Sequence, residues 1–343
     1  MSIASLSMGE TITATSHGNW NDRETWDIRI PTVNDDVFIC GQMIIVNSEQ
    51  YCRSIWITAD TISDTKLSVV DGDLHIKHHL TVEVDNQNKH TDVEIKGRAC
   101  INVGGYVVFE RSIKNNQKAR MQLHITEYGQ MNVQDDFEFS YGAAHKKENN
   151  QEIWLEGHAQ LNVQGSLTFE QIKHGRDAEL LITDNALLTV DGHMFIAHFV
   201  GERVKVQLRD QSIVNVRGSL AFYHGYFMTN DFSYIDMFDG SALCVAGDFE
   251  IYPRGSKTIM YIRLHQSSAF HIRGRLIVHK AGWDNLKIQL NDYSSVSIGG
   301  LGLKENTLAS LKAFNVTGGR CNISIVGKKL VATPRHKSAA LMQ

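Results

Sequence analysis

Proline is nearly missing from this chain, with three residues in 343, and the 27 glycines follow no every-third-residue period. Collagen-like and proline-rich architectures are thereby excluded. The five cysteines, Cys40, Cys52, Cys100, Cys244 and Cys321, are odd in number and share no CxxC spacing. Neither a disulfide framework nor a zinc site is expected from them; reduced thiols in a chain made in a cytoplasm are. No apolar run approaches the length of a membrane span. Charge is close to balanced, at −4 formally, without a long basic stretch. That argues against a nucleic-acid footprint and against a polybasic membrane patch. The opening MSIASLSMGETITATSHGNW has neither a basic n-region nor an apolar h-region, so no signal peptide is expected. Helical periodicity of useful length is lacking as well.

What is present is repetition. LNVQGSLTF at 161–169 returns as LTVDGHMFI at 188–196, VNVRGSLAF at 214–222 and FHIRGRLIV at 270–278. Aligned on its glycine, the phrase occurs at Gly105, at Asp135 in the glycine's place, and at Gly165, Gly192, Gly218, Gly247, Gly274, Gly300 and Gly327, with a looser copy at Gly72. A second phrase stands at a fixed distance upstream. Ile95, Ile125, Leu155, Ile182, Leu208, Met237, Leu264 and Leu290 each precede by eight residues the valine or isoleucine at 103, 133, 163, 190, 216, 245, 272 and 298. Apolar residues two positions apart around these sites give the period-two signal of strands.

Each unit therefore reads strand, short turn, strand, glycine, strand and variable loop. A unit this small cannot bury an apolar face alone and must stack on its neighbours. The fold class expected is all-β: a single parallel β-helix, or β-solenoid, of about ten coils with an N-terminal cap, making a rod near 50 Å long at about 4.8 Å per coil. Leu161, Val163, Leu167 and Phe169 should point inward, and the repeated glycine should mark a corner that a side chain would obstruct. A β-propeller also repeats, but its blades need about 40 residues and carry signatures not seen here. The expected organisation is an N-terminal extension over 1–17, a capping segment and first coil over 18–60, repeats over 61–331 and a tail over 332–343.

The segment GNWNDRETWDIRIPTVNDDVFICGQMIIV at 18–46 is different in kind. Gly18-Asn19-Trp20, Thr25-Trp26, Pro31-Thr32 and Asp35-Asp36-Val37 follow in an order that resembles the opening of many bacterial surface β-helix proteins. It is also similar to the start of the eight-glycine domain of some extracellular β-helix proteins. The likeness covers about thirty residues by the motif standard. It implies a surface or adhesive role. Physically the segment should be a cap: Trp20 and Trp26 cover the core, while Asp35 and Asp36 satisfy turn amides. A sugar platform on the two tryptophans is the alternative use.

Parallel β-helices also host enzymes that cut polysaccharides, which need carboxylate pairs on one face. Asp71 with Asp73, Asp135 with Asp136, and His75, His78 and His79 are the groups to weigh. Their positions at or beside turns favour local backbone bonding over catalysis. No HExxH, GxSxG or phosphate-binding loop occurs, and no cofactor is expected. The outward column Asn102, Asn132, Asn162, Thr189, Asn215, Cys244, His271, Ser297 and Ser324 should stack as a polar ladder. The loop FYHGYFMTNDFSY at 222–234 is aromatic, and Tyr223, Tyr226, Phe227, Phe232 and Tyr234 are the candidate interaction surface.

The expected function is a non-enzymatic structural or adhesive solenoid that assembles into, or decorates, a larger particle or filament. Its partners would be copies of itself or other subunits, with a surface glycan as a further one. A virion component released by lysis fits both the surface resemblance and the missing export signal; a cytoplasmic scaffold is the alternative location. A tailspike-like polysaccharide lyase, hydrolase or glycan binder is the alternative function.

Overall fold

The computed structural model describes residues 9–59, 62–84, 89–111, 120–141, 151–171, 178–198, 204–224, 232–253, 259–279, 286–301, 314–316, 321–326 and 329–334. They form a parallel β-solenoid with three strands to a turn. In one turn these are His90–Lys96 on the first face, Cys100–Val103 on the second and Val107–Arg111 on the third. The first face stacks into a 12-stranded sheet, and the second and third are joined in a 22-stranded one. Eight successive turns, spanning 43–58 to 232–253, have all three strands separate. In the next turn the second and third strands fuse into Ala269–Val278, and in the one after into Ser295–Leu301. The regular part is thus slightly shorter than ten coils. Twelve stacked first-face strands still give a rod of roughly 50 Å.

The eight-residue spacing is the distance from the last inward residue of the first face to that of the second. Ile95 pairs with Ile125, Ile125 with Leu155, and Leu155 with Ile182; Val103, Val133, Val163 and Val190 do the same on the second face. All are buried, as are Leu161, Leu167 and Phe169. Phe109, Phe139 and Phe169 stack up the interior with ring centroids 5.2 and 5.6 Å apart.

The two sharp corners differ. Between the first and second faces the chain repeatedly enters the left-handed region: Asp71, Glu127, Asp184, Asp210, Asp239, Gln266 and Asp292 all have φ between 53° and 60°, and Gly97 and Gly157 take that place in two other turns. Just after it comes a column of small side chains, Ala99, Ala159, Ala186, Ser212, Ser241, Ser268 and Ser294, each with no exposed area. Between the second and third faces the repeated glycine is imposed by close approach. A Cβ on Gly218 would lie 2.3 Å from the Gly192 carbonyl oxygen, and one on Gly274 2.3 Å from that of Gly247. Gly192 N donates to Gly165 O, and Gly218 N to Gly192 O, both at 2.9 Å.

Two parts of the alignment change. Gly72 belongs to the first corner: Val103 pairs with Ile76, which makes His78 the counterpart of Gly105. The Asp-Gly dipeptide imitates the later phrase because both corners demand a tight turn. At the far end, Cys321–Val326 pairs antiparallel with Lys329–Pro334, which also runs antiparallel to Ser295–Leu301. Ser324 is paired with Val331 in this hairpin and so leaves the polar column. Two residues separate the strands, too few for the crossover that another parallel rung requires. Gly327 lies outside the described residues.

Candidate functional site

The N-terminal segment is packed before it is anything else. Trp20 and Trp26 are 1% and 2% exposed, so neither offers a sugar a platform. They meet edge-on with centroids 5.0 Å apart, and Trp26 Nε1 donates to the Trp20 carbonyl at 2.7 Å. Gly18 lies where a Cβ would strike Thr25 Oγ1, which itself donates to the Asn19 carbonyl. Asp35 is fully buried. Its carboxylate accepts from Glu10 N at 3.0 Å, from Thr32 N at 2.8 Å and Oγ1 at 2.6 Å, and from the Arg29 guanidinium. Burial alone would raise this carboxyl, yet Arg29, Thr32 and the two amides hold it far below the usual carboxylate range. Among the described residues Asp36 accepts from no turn amide; it pairs with Arg53, whose Nε donates at 2.7 Å.

Two of the four carboxylates weighed for catalysis have structural duties. Asp71 Oδ1 accepts from Arg98 N at 3.0 Å, and Asp136 Oδ1 from Ser166 N at 2.7 Å, each one turn along the rod. A further turn carboxylate, Asp191, pairs with Arg217 at 3.1 Å. Among the described residues no cluster of three or more His, Cys, Asp or Glu is placed to hold a metal. No helix there is long and apolar enough to cross a membrane.

Of the aromatic segment at 222–234, the described residues belong to strands on two faces. Tyr226 and Phe227 lie outside the described residues. Tyr223 is on the third face, stacked on Tyr252 with centroids 4.5 Å apart; Tyr252 in turn stacks on His279 at 4.0 Å. Phe232 and Tyr234 belong to the first-face strand Phe232–Met237. Tyr234 stacks on Tyr261 at 5.9 Å, and Arg263 sits 4.3 Å over its ring while forming an ion pair with Asp236. The two tyrosines thus serve different faces.

The second face carries the polar column. Asn162 Nδ2 donates to Asn132 Oδ1 and Asn132 Nδ2 to Asn102 Oδ1, both at 2.9 Å. His271 and Ser297 continue the stacking at 2.8 Å. Two shallow clefts of about 550 and 560 Å³ lie along this face, the first lined by the three asparagines with His75, Gln134 and Gln164.

A different cleft, of about 620 Å³, opens on the third face near the N-terminal end. Phe38 and Trp56 are paired outward residues on adjacent rungs, with rings edge-to-face at 6.2 Å. His79 and Tyr106 stack at 3.8 Å on the following two rungs. Ser54 and Thr81, whose side chains are short, lie between these two aromatic groups and leave the slot open. Trp56 is 51% exposed and Tyr106 40%. Trp56 Nε1 donates to Glu83 Oε2 at 3.1 Å, which tethers the half-exposed indole. Burial, then the neighbouring His78, lowers the His79 pKa against Asp135.

No family model, curated protein or solved structure matches the chain.

Its site must therefore be read from geometry. The aromatic cleft was missed in the sequence because SIWIT alternates as any strand does. Only its stacking beside Phe38 and Thr81 separates Trp56 from an ordinary exposed residue.

Proposed function

We propose that the chain is a non-enzymatic structural or adhesive rod, which assembles into or decorates a larger particle or filament through its flanks. The observation that carries this reading is that the solenoid has a capping element at each end. Trp20, Trp26 and the buried Asp35 close the first coil, and the antiparallel hairpin pairs along Ser295–Leu301 of the last turn. Such elements interrupt regular end-to-end stacking and leave the flanks for association. The flanks are regular, repeating every turn, which suits many equivalent weak contacts. The turn and ion-pair duties of Asp71, Asp136 and Asp191 support a non-catalytic role. A virion or extracellular assembly is the setting in which such a rod serves.

Light scattering over a hundredfold dilution, with negative-stain imaging, tests this. Side-by-side multimers are expected. A monomer at every concentration, together with polysaccharide cleavage that Asp71→Asn or Asp136→Asn abolishes, would replace the reading with an enzymatic one.

A second reading, glycan binding without turnover, is favoured by the open slot beside Trp56.

A further inference from the structure

Three places on the rod present unusual chemistry: the amide-lined second face, the Tyr223–Tyr252–His279 stack, and the slot between Trp56 and Tyr106. The first two are closed on themselves. The asparagines spend their amides on one another, and the stack is held by Glu250, which accepts from Tyr252 Oη and bonds His279 Nε2 at 3.0 Å. The slot is open, and Trp56 and Tyr106 beside it keep part of their surface exposed.

Resting on the glycan-binding reading, we propose that this slot is a carbohydrate subsite that takes a neutral pyranose unit of a larger glycan.

The argument begins with rung spacing. Strands of successive turns lie about 4.8 Å apart, and His79 fills the rung between Trp56 and Tyr106, stacked on the Tyr106 ring. The space for a ring lies over the short side chains of Ser54 and Thr81, bounded by Trp56 on one side and by the His79 ring, which Tyr106 backs, on the other. The volume falls within the usual range of ligand pockets, about 300–1,000 Å³. The two faces of a pyranose carry axial C–H groups, and an aromatic face is the negative side of a quadrupole that attracts them. Its equatorial hydroxyls need partners at the rim. Ser54, Thr81 and the carboxylate oxygens of Asp36 line the cleft and supply them, and carboxylates accept well from hydroxyls.

The charges beside the slot set the class of sugar. Arg53 and Asp36 neutralise each other in an ion pair, so the rim offers an acidic sugar no uncommitted guanidinium. His79, disfavoured as a cation by its burial, adds no compensating charge. The platform is also preorganised: Trp56 is held by Phe38 at its edge and Glu83 at its nitrogen, and Tyr106 by the His79 ring. Little side-chain freedom remains to be lost on binding.

The test uses the full chain on an array of neutral gluco-, galacto-, manno- and xylo-configured oligosaccharides, followed by titration calorimetry of any hit. Trp56→Ala and Tyr106→Ala should each weaken binding at least tenfold while leaving the melting temperature of these exposed positions nearly unchanged. Thr81→Trp, which fills the slot without removing a platform, should abolish binding and guards against a folding defect in the other two. Binding that survives all three substitutions would sink the subsite while leaving glycan binding elsewhere on the rod standing. An array without neutral hits, or hits confined to acidic sugars, overturns the proposal. So would competition by tetramethylammonium at concentrations that leave other glycan binders untouched, since that would mark an aromatic cage for cations. The light-scattering result is independent: multimers without sugar binding leave the structural rod intact.

Discussion

Asp35 concentrates the energetics of the cap in one side chain. It is fully buried, and its two oxygens receive donors from Glu10, Arg29 and Thr32. Asp35→Ala strands those donors and should cost about 3–5 kcal/mol, the usual penalty for breaking a buried charge pair. Asp36→Ala, which frees only a part-exposed Arg53, should cost under about 1 kcal/mol. Urea titrations of the two variants would show the contrast. His124 gives the pH dependence. Burial, then Arg120, lowers its pKa to about 4 against the pull of Glu94, and its ring lies flat on Trp154 at 4.6 Å. In the unfolded chain the same group takes a proton below about pH 6.5. The unfolded state then binds more protons than the folded one, so stability falls as pH drops from 6.5 toward 4. Melting curves across that window should show the slope, and His124→Gln should flatten it. The inward residues were legible in the sequence because period-two alternation dictates them. Trp56 was not, since its meaning depends on Phe38 and Thr81, neighbours in space at distant sequence positions.

At the scale of the strand and corner, each turn repeats two constraints. The glycine column needs hydrogen to stand where Cβ would be, because a Cβ on Gly218 would lie 2.3 Å from the carbonyl oxygen of Gly192 below. Gly218→Ala must push two rungs apart and should cost about 1–3 kcal/mol, by analogy with overpacked cores. Val190→Asp buries an unpaired charge between rungs and should cost more, about 4 kcal/mol or above. If thermal melts placed both variants beside the parent, the register described here would be wrong. The eight-residue phrase exposed this register in advance, since identical strand-turn-strand geometry forces identical spacing. The first corner was less legible. Asp-Gly at 71–72 suits either bend, and only the pairing of Val103 with Ile76 assigns it. The hairpin at the end escaped notice for a similar reason: strand periodicity carries no direction, so an antiparallel return looks like one more rung.

For the molecule as a whole, the capping elements at its ends decide how it behaves in solution. A chain stopped at Leu301 would bare the edge that Lys329–Pro334 now occupies. Such a chain should associate end to end, with a mass that climbs with concentration in light scattering. The stacking geometry has a further consequence for how length is controlled. Every turn between the two covers touches only the turns on either side, and each adds the same axial increment of about 4.8 Å. Duplicating or deleting one 26- or 27-residue period, such as the one between Gly192 and Gly218 or between Gly165 and Gly192, would reset the separation of the two ends by a fixed step. The Trp56 slot, several turns away, would keep its shape. The chain is in that sense a ruler graduated in its own turns, and its gene can change the reading without redrawing the marks.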